Sequence, residues 1–287
     1  MKGYVVNIYD YTIEFVRTSL KALRPYQTLH FLIMTYIGYA MAERVLQGKF
    51  MIVIPGSALP FLAIFSFWMF TTIINDIYDE PIDSITNRNR PLVSGVISEK
   101  AYASMGIVWL IIASIAGVLM PFKSTVCIAL DLFAGYIYSA PPLRLRRFLF
   151  APLFVGIGST LAYFTGFFST GALPDHDAIK VGVIIVIALT LGPFTKDVKD
   201  IEGDKKAGVK TLFTVYSEQK ARLIVGIMLF IAYITPVILL NRWFDIVVFA
   251  GMGLFAGMSF YKRPRLQYVF IQSFVIMLYT GVRYLLG

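Results

Sequence analysis

The sequence has little of what holds small soluble domains together. Cys127 is the only cysteine among 287 residues, so no disulfide framework can form within the chain. His30 and His176 are the only histidines, which excludes a zinc site built from Cys and His. Charge is scarce too: Asp, Glu, Lys and Arg make up 15% of the chain, against about 25% in an ordinary globular domain. No polar low-complexity tract or collagen period is present, which excludes disordered and fibrous classes. What remains is apolar: 57% of residues are hydrophobic, 15% are aromatic, and the mean hydropathy is +0.71. The apolar stretches run for roughly 20 residues, the length that crosses a bilayer. They do not alternate as barrel strands do. An all-α polytopic membrane protein is the class left standing.

The pattern predicts nine transmembrane helices, near 21–46, 51–76, 102–121, 124–140, 149–171, 178–197, 221–241, 243–260 and 266–286, in a single domain spanning 1–287. The first sixteen residues contain Asp10 and Glu14 and have no apolar core, so no signal peptide is expected. With nine crossings, 20 of the 26 Lys and Arg fall on the side of the N-terminus. Loops rich in Lys and Arg stay in the cytoplasm, so the N-terminus is expected there, in a cell membrane. The net charge of +9 then reflects topology, and no nucleic acid is needed to explain it. No obligate protein partner is evident.

Acids cluster more tightly than bases. Two segments read D-x-x-D-x-x-x-D: Asp76, Asp79 and Asp83, preceded by Asn75, and Asp197, Asp200 and Asp204. On an α-helix, positions i, i+3 and i+7 fall within about 60° of one another, so each segment is expected to carry a carboxylate stripe. Pro81 is expected to end or kink the first helix near Asp83. The segments lie four crossings apart, on one membrane face, and so can meet across a central cavity. Their repetition hints at duplicated four-helix halves with a ninth helix added. Six facing carboxylates repel one another and need cations. Hard oxygen ligands without Cys or His select Mg²⁺ or Ca²⁺. Mg²⁺ typically binds one or two carboxylates plus substrate phosphates, so two clusters suggest two Mg²⁺ ions on a diphosphate. Direct partners for that anion are available in Arg24, Arg88, Arg90, Arg144, Arg146 and Lys196.

At these residues the sequence resembles the UbiA superfamily of intramembrane prenyltransferases. The first signature, N-D-x-x-D-x-x-x-D, is matched by Asn75, Asp76, Asp79 and Asp83, and continues into Arg90-Pro91-Leu92-Val93-Ser94-Gly95. The second, D-x-x-x-D, is matched by Asp200 and Asp204. Between them, Tyr138-Ser139-Ala140-Pro141-Pro142 and the basic run Arg144-Leu145-Arg146-Arg147 follow the family's Y-S-x-P-P stretch. The resemblance implies Mg²⁺-dependent transfer of a prenyl group from its diphosphate to a lipophilic acceptor. It implies Asn75, Asp79, Asp83, Asp200 and Asp204 as metal ligands and Arg24, Arg88, Arg90, Arg144 and Arg146 as substrate-binding residues. Asp76, Asp197, Lys196 and Tyr138 are the implied catalytic residues. The segment 196–212 looks most like members that prenylate a glycerol phosphate lipid; aromatic, quinone-type acceptors stay open.

An allylic centre that loses diphosphate is stabilised by aromatic faces. Phe133, Tyr136, Tyr138, Tyr163, Phe164, Phe167 and Phe168 are expected near the cavity. Asp131, inside the fourth predicted helix, is a functional candidate by its position alone. A rival reading is an ion-coupled transporter, which would carry its acids at the bilayer midplane in inverted repeats.

Overall fold

The computed structural model describes residues 8–48 and 54–286. It is helical, with no strand among the described residues. An amphipathic helix α1 (Ile8–Ala22) precedes α2 (Pro25–Gln47) and α3 (Leu59–Thr86). Then come α4 (Glu99–Val118), α5 (Phe122–Ser139), α6 (Pro152–Phe168) and α7 (His176–Leu191). A 3₁₀ segment, Gly192–Lys199, leads to the short helices α8 (Ile201–Ala207) and α9 (Leu212–Val215). The chain ends in α10 (Glu218–Ile234), α11 (Trp243–Lys262) and α12 (Leu266–Leu286).

Each of the nine expected segments overlaps one long helix. Six helical stretches among the described residues are long and apolar enough to cross a membrane, and Pro152–Phe168 is a shorter apolar one. Large apolar side chains point outward along them, as on α4, where Ile107, Ile111, Ile115 and Val118 are all exposed. This is the surface of a protein whose solvent is lipid.

Three expectations are corrected at the helix ends. The helix expected from 21 to 46 is broken before Pro25, which sits at the first helical turn where its missing N–H costs nothing. The helix expected over 51–76 begins at Leu59, close to Pro60, and its first residues 51–53 lie outside the described residues. It then runs on to Thr86: Pro81 neither ends it nor moves Asp83 off the stripe. That proline deprives only the Ile77 carbonyl of its helical donor.

Packing places α6 at the centre, against α2, α5 and α7. The α2–α6 crossing is close enough that a Cβ on Gly166 would lie 2.0 Å from the Thr35 carbonyl oxygen, and one on Gly38 1.8 Å from that of Tyr163. Only glycine on both helices permits this approach. A second core gathers α10, α11 and α12 around Leu229, Phe249 and Phe260. A third, around Met69, Ile73 and Tyr102, seats α1 and α4 on α3.

The chain's reversals bring the end of α3 together with the starts of α2 and α4 and the end of α5. The opposite end is held by Arg44 of α2, which donates to both oxygens of Asp175 at 2.6 and 2.5 Å. Asp175 also caps α7, and the Tyr284 hydroxyl of α12 donates to Asp177 at 2.9 Å.

Candidate active site

The carboxylates of α3 are buried: Asp76 and Asp79 are 1% exposed and Asp83 7%. Buried charge demands a partner, and each has one. Arg24, at the junction of α1 and α2, donates to Asn75 Oδ1 at 2.8 Å and Asp76 Oδ1 at 2.6 Å. The Tyr102 hydroxyl of α4 donates to Asp76 Oδ2 at 2.9 Å. Arg90 Nε stands 3.7 Å from Asp76 and 4.0 Å from Asp83. Asn75 Nδ2 donates to Asp79 Oδ2 at 2.5 Å and reaches Ser139 Oγ at 3.4 Å. Asn87 Nδ2 donates to Asp83 at 2.9 Å.

The turn after α5 supplies the other side. Arg144 adopts a left-handed backbone, φ 42°, which reverses the chain into the single turn Leu145–Arg147. Its guanidinium then reaches back to α3, donating to the Tyr78 carbonyl at 2.5 Å and standing 3.5 Å from Asp79. Arg146 is ion-paired with Asp79. Burial pulls the Arg146 guanidinium down to about 10, against the attraction of Asp204 and Asp200. Arg146 is therefore a cation that both acidic motifs attract.

The second motif is not the single helical stripe expected. Asp197 lies in the 3₁₀ segment, Asp200 at its junction with α8, and Asp204 inside α8. Gly192-Pro193 ends the α-geometry of α7, so the i, i+3, i+7 register is lost. Asp200 and Asp204 still come to the first motif, because α8, at whose start and within which they lie, packs against α3. Asp197 and Asp204 are buried, at 8% and 4% exposed. Burial pushes the Asp204 carboxyl up to about 6; Arg146 opposes this and Asp200 adds to it. Lys196 Nζ donates to the Tyr138 hydroxyl at 3.3 Å.

Among the described residues, no three acids stand close enough to hold a metal ion by themselves. The donor chemistry nonetheless suits Mg²⁺. Every candidate ligand is a hard oxygen: Asp79, Asp83, Asp200 and Asp204 offer carboxylates and Asn75 a carboxamide. A cation that takes one or two carboxylates from each motif and completes its shell on phosphate fits such a set.

Some sequence-predicted residues lie elsewhere. Arg88 is exposed and donates to the Ser84 carbonyl at 3.2 Å, away from the carboxylates. Phe133 and Tyr136 are 61% and 42% exposed, not in a cavity. The inner face of α5 is taken by Asp131, Gly135 and Ser139, so the positions between them turn outward. Tyr163 and Phe167 are fully buried, but in the core with α7, where the Tyr163 hydroxyl donates to the Ala178 carbonyl. Of the expected aromatics, Tyr138 alone is tied to the acidic end, with the Phe154 ring 6.4 Å away. Tyr102 was missed, since it belongs to no motif and only the fold carries it to Asp76. Asp131 is fully buried, and neither carboxyl oxygen has a hydrogen-bond partner among the described residues.

A multi-pass membrane fold that gathers two aspartate motifs and a set of guanidinium groups at one end defines a class of intramembrane protein that handles a polyanion. The particular family follows from comparison: the model of the UbiA prenyltransferase family matches residues 31–269, and the chain belongs to that family. The digeranylgeranylglyceryl phosphate synthase of Thermococcus sibiricus is 33% identical over 225 residues, which cover 72% of this chain and 75% of that one. That of Sulfurisphaera tokodaii is 32% identical over 182 residues, covering 63% of this chain and 64% of its own length. A UbiA homologue from Archaeoglobus fulgidus, solved bound to DMAPP and Mg²⁺, shares the fold with a TM-score of 0.67 at 20% identity, covering 93% of this chain and 99% of that one.

Proposed function

We propose that the protein transfers a prenyl group from a prenyl diphosphate to a lipophilic acceptor inside the membrane, with Mg²⁺ as cofactor. The acceptor is a prenylated glycerol phosphate, as the names of the related synthases suggest. The observation that carries the reading is Arg146, paired with Asp79 on one motif and drawn to Asp204 and Asp200 on the other. Two acidic motifs that share a cation can share a diphosphate.

In this reading Asn75, Asp79 and Asp83 hold one ion and Asp200 and Asp204 a second. Bound there, Mg²⁺ supplies Lewis acidity and a template for the departing diphosphate. Asp76 orients Arg24 toward the anion through its 2.6 Å contact, with Tyr102 fixing the carboxylate. Arg90, Arg144 and Arg146 oppose the charge that grows on the leaving group. Lys196 donates to the Tyr138 hydroxyl at 3.3 Å and so fixes that side chain; the Tyr138 ring offers a π-face to positive charge on the prenyl carbon. The chain is one domain of nine spans with its N-terminus in the cytoplasm, so the chemistry sits at the cytoplasmic face and the prenyl chain reaches it from the bilayer. Retention of buried, paired acids at one membrane end disfavours an ion-coupled transporter, whose acids belong at the midplane.

Purified protein is assayed with geranylgeranyl diphosphate and Mg²⁺ against glycerol phosphate lipids and aromatic acceptors. Asp79→Ala and Asp200→Ala should each lower transfer by roughly 10²-fold or more, as loss of preorganised electrostatic groups does. Undiminished Mg²⁺-dependent transfer in both variants overturns the metal assignment, and transfer to aromatic acceptors alone overturns the acceptor.

A further inference from the structure

Outside the carboxylate cluster, Lys21, Arg88 and Arg90 line one depression of about 470 Å³, together with Asn87, Asn89 and Ile85. No carboxylate lines it, and among the described residues neither Lys21 nor Arg88 is ion-paired. The volume lies within the range of small-molecule sites, about 300–1,000 Å³. Lys21 and Arg88 bring two cations without a carboxylate partner to this space, while Arg90 and Asn87 line it from their contacts with Asp76 and Asp83; guanidinium and ammonium groups bind phosphate oxygens as donors, so the depression can receive an anion. Lys21 also lines a second, more apolar groove along α1, with Ile13, Thr18 and Val96 in its wall. Arg17 and Glu14 line that groove as well. A polar depression and a more apolar groove that share Lys21 as a wall residue match a lipid with a phosphate head. Arg90 joins the chamber to the reaction centre: it lines the one and stands 3.7 Å from Asp76 in the other.

We infer that this chamber receives the phosphate of the acceptor lipid, with the α1 groove taking the adjoining part of its chain. The diphosphate of the donor occupies the carboxylate end, and Arg90 stands between the two anions. The inference rests on the phosphate-lipid acceptor proposed above. It gives Arg88, which turns away from the carboxylates, a role on the acceptor rather than the donor.

The test titrates full-length protein in phosphatidylcholine nanodiscs with radiolabelled geranylgeranylglyceryl phosphate, without Mg²⁺ and without donor. Competitors are glycerol phosphate, geranylgeranylglycerol lacking the phosphate, and phosphatidylglycerol. The double variant Lys21→Gln/Arg88→Gln should weaken binding about tenfold or more, while Lys21→Arg/Arg88→Lys restores it. Both residues are exposed, and matched melting curves of the two variants separate lost charge from lost fold. Tailless and phosphate-free competitors should displace the probe weakly. Steady-state assays should show the acceptor KM rising in the double variant with the donor KM little changed. Binding that the double variant leaves intact overturns the chamber, as does equal displacement by phosphatidylglycerol or the absence of phosphate-dependent binding in the unaltered protein. Binding that depends on Lys21 and Arg88 without transfer to the same lipid upholds the chamber and refutes the proposed reaction. Transfer with unaltered binding in the double variant does the reverse.

Discussion

Asp76 illustrates how a buried charge is made tolerable. Its two oxygens are divided between Arg24 at 2.6 Å and Tyr102 at 2.9 Å. Tyr102→Phe removes a hydrogen bond to a charged group that nothing replaces, a loss of about 1.5–3 kcal/mol. Thermal unfolding in detergent should show that drop, and prenyl transfer should fall with it if Arg24 loses its orientation. Asp204 gives a pH signature. Its folded-state carboxyl is raised to about 6 by burial, above the ordinary carboxylate value. A raised acid favours the fold at low pH, and that contribution is lost as pH rises through about 6. Metal-free protein in EDTA should therefore lose stability as pH rises from about 4 to about 6, and Mg²⁺ should restore it at pH 7. A flat EDTA profile would remove Asp204 from the account. The aspartates were legible in the sequence because their spacing repeats. Tyr102 was not, because nothing local distinguishes it from any other tyrosine at a helix start.

Among the elements, the long helices could be read from apolar length alone, since lipid demands it. Helix α1 could not: a 15-residue amphipathic segment is half polar and leaves no apolar run to detect. The second motif misled for another reason. Its spacing equals that of the first, but Gly192-Pro193 changes the backbone from α to 3₁₀, and the stripe dissolves while the acids stay together. Pro81 misled in the opposite direction, since a helix of 28 residues absorbs one missing bond. The α2–α6 crossing carries a prediction of its own. Gly166→Val drives a side chain into the Thr35 carbonyl and must part the two helices. Overpacking of this kind costs typically about 1–3 kcal/mol. It should lower the melting temperature and, by shifting α2, weaken Arg24's hold on Asp76. Equal stability of Gly166→Val and the unaltered protein would show that the crossing is looser than drawn.

At the scale of the whole molecule, the two ends differ in kind. One holds buried acids, those of α3 answered by Arg24, Arg90, Arg144, Arg146 and Tyr102. The other holds half-exposed pairs, Arg44 with Asp175 and Tyr284 with Asp177, which tie α2, α7 and α12 together. Arg44→Ala should cost only about 0.2–1 kcal/mol, the range of exposed ion pairs. Melting curves and donor KM measured together check this: a small fall in the first with no change in the second. A large rise in donor KM would mean that the two ends are coupled.

That knot of side chains lies at the end away from the acids and binds the last helix to α2 and to the start of α7. Under the proposed chemistry, both substrates can reach the acids, and the joined lipid can depart, without untying it.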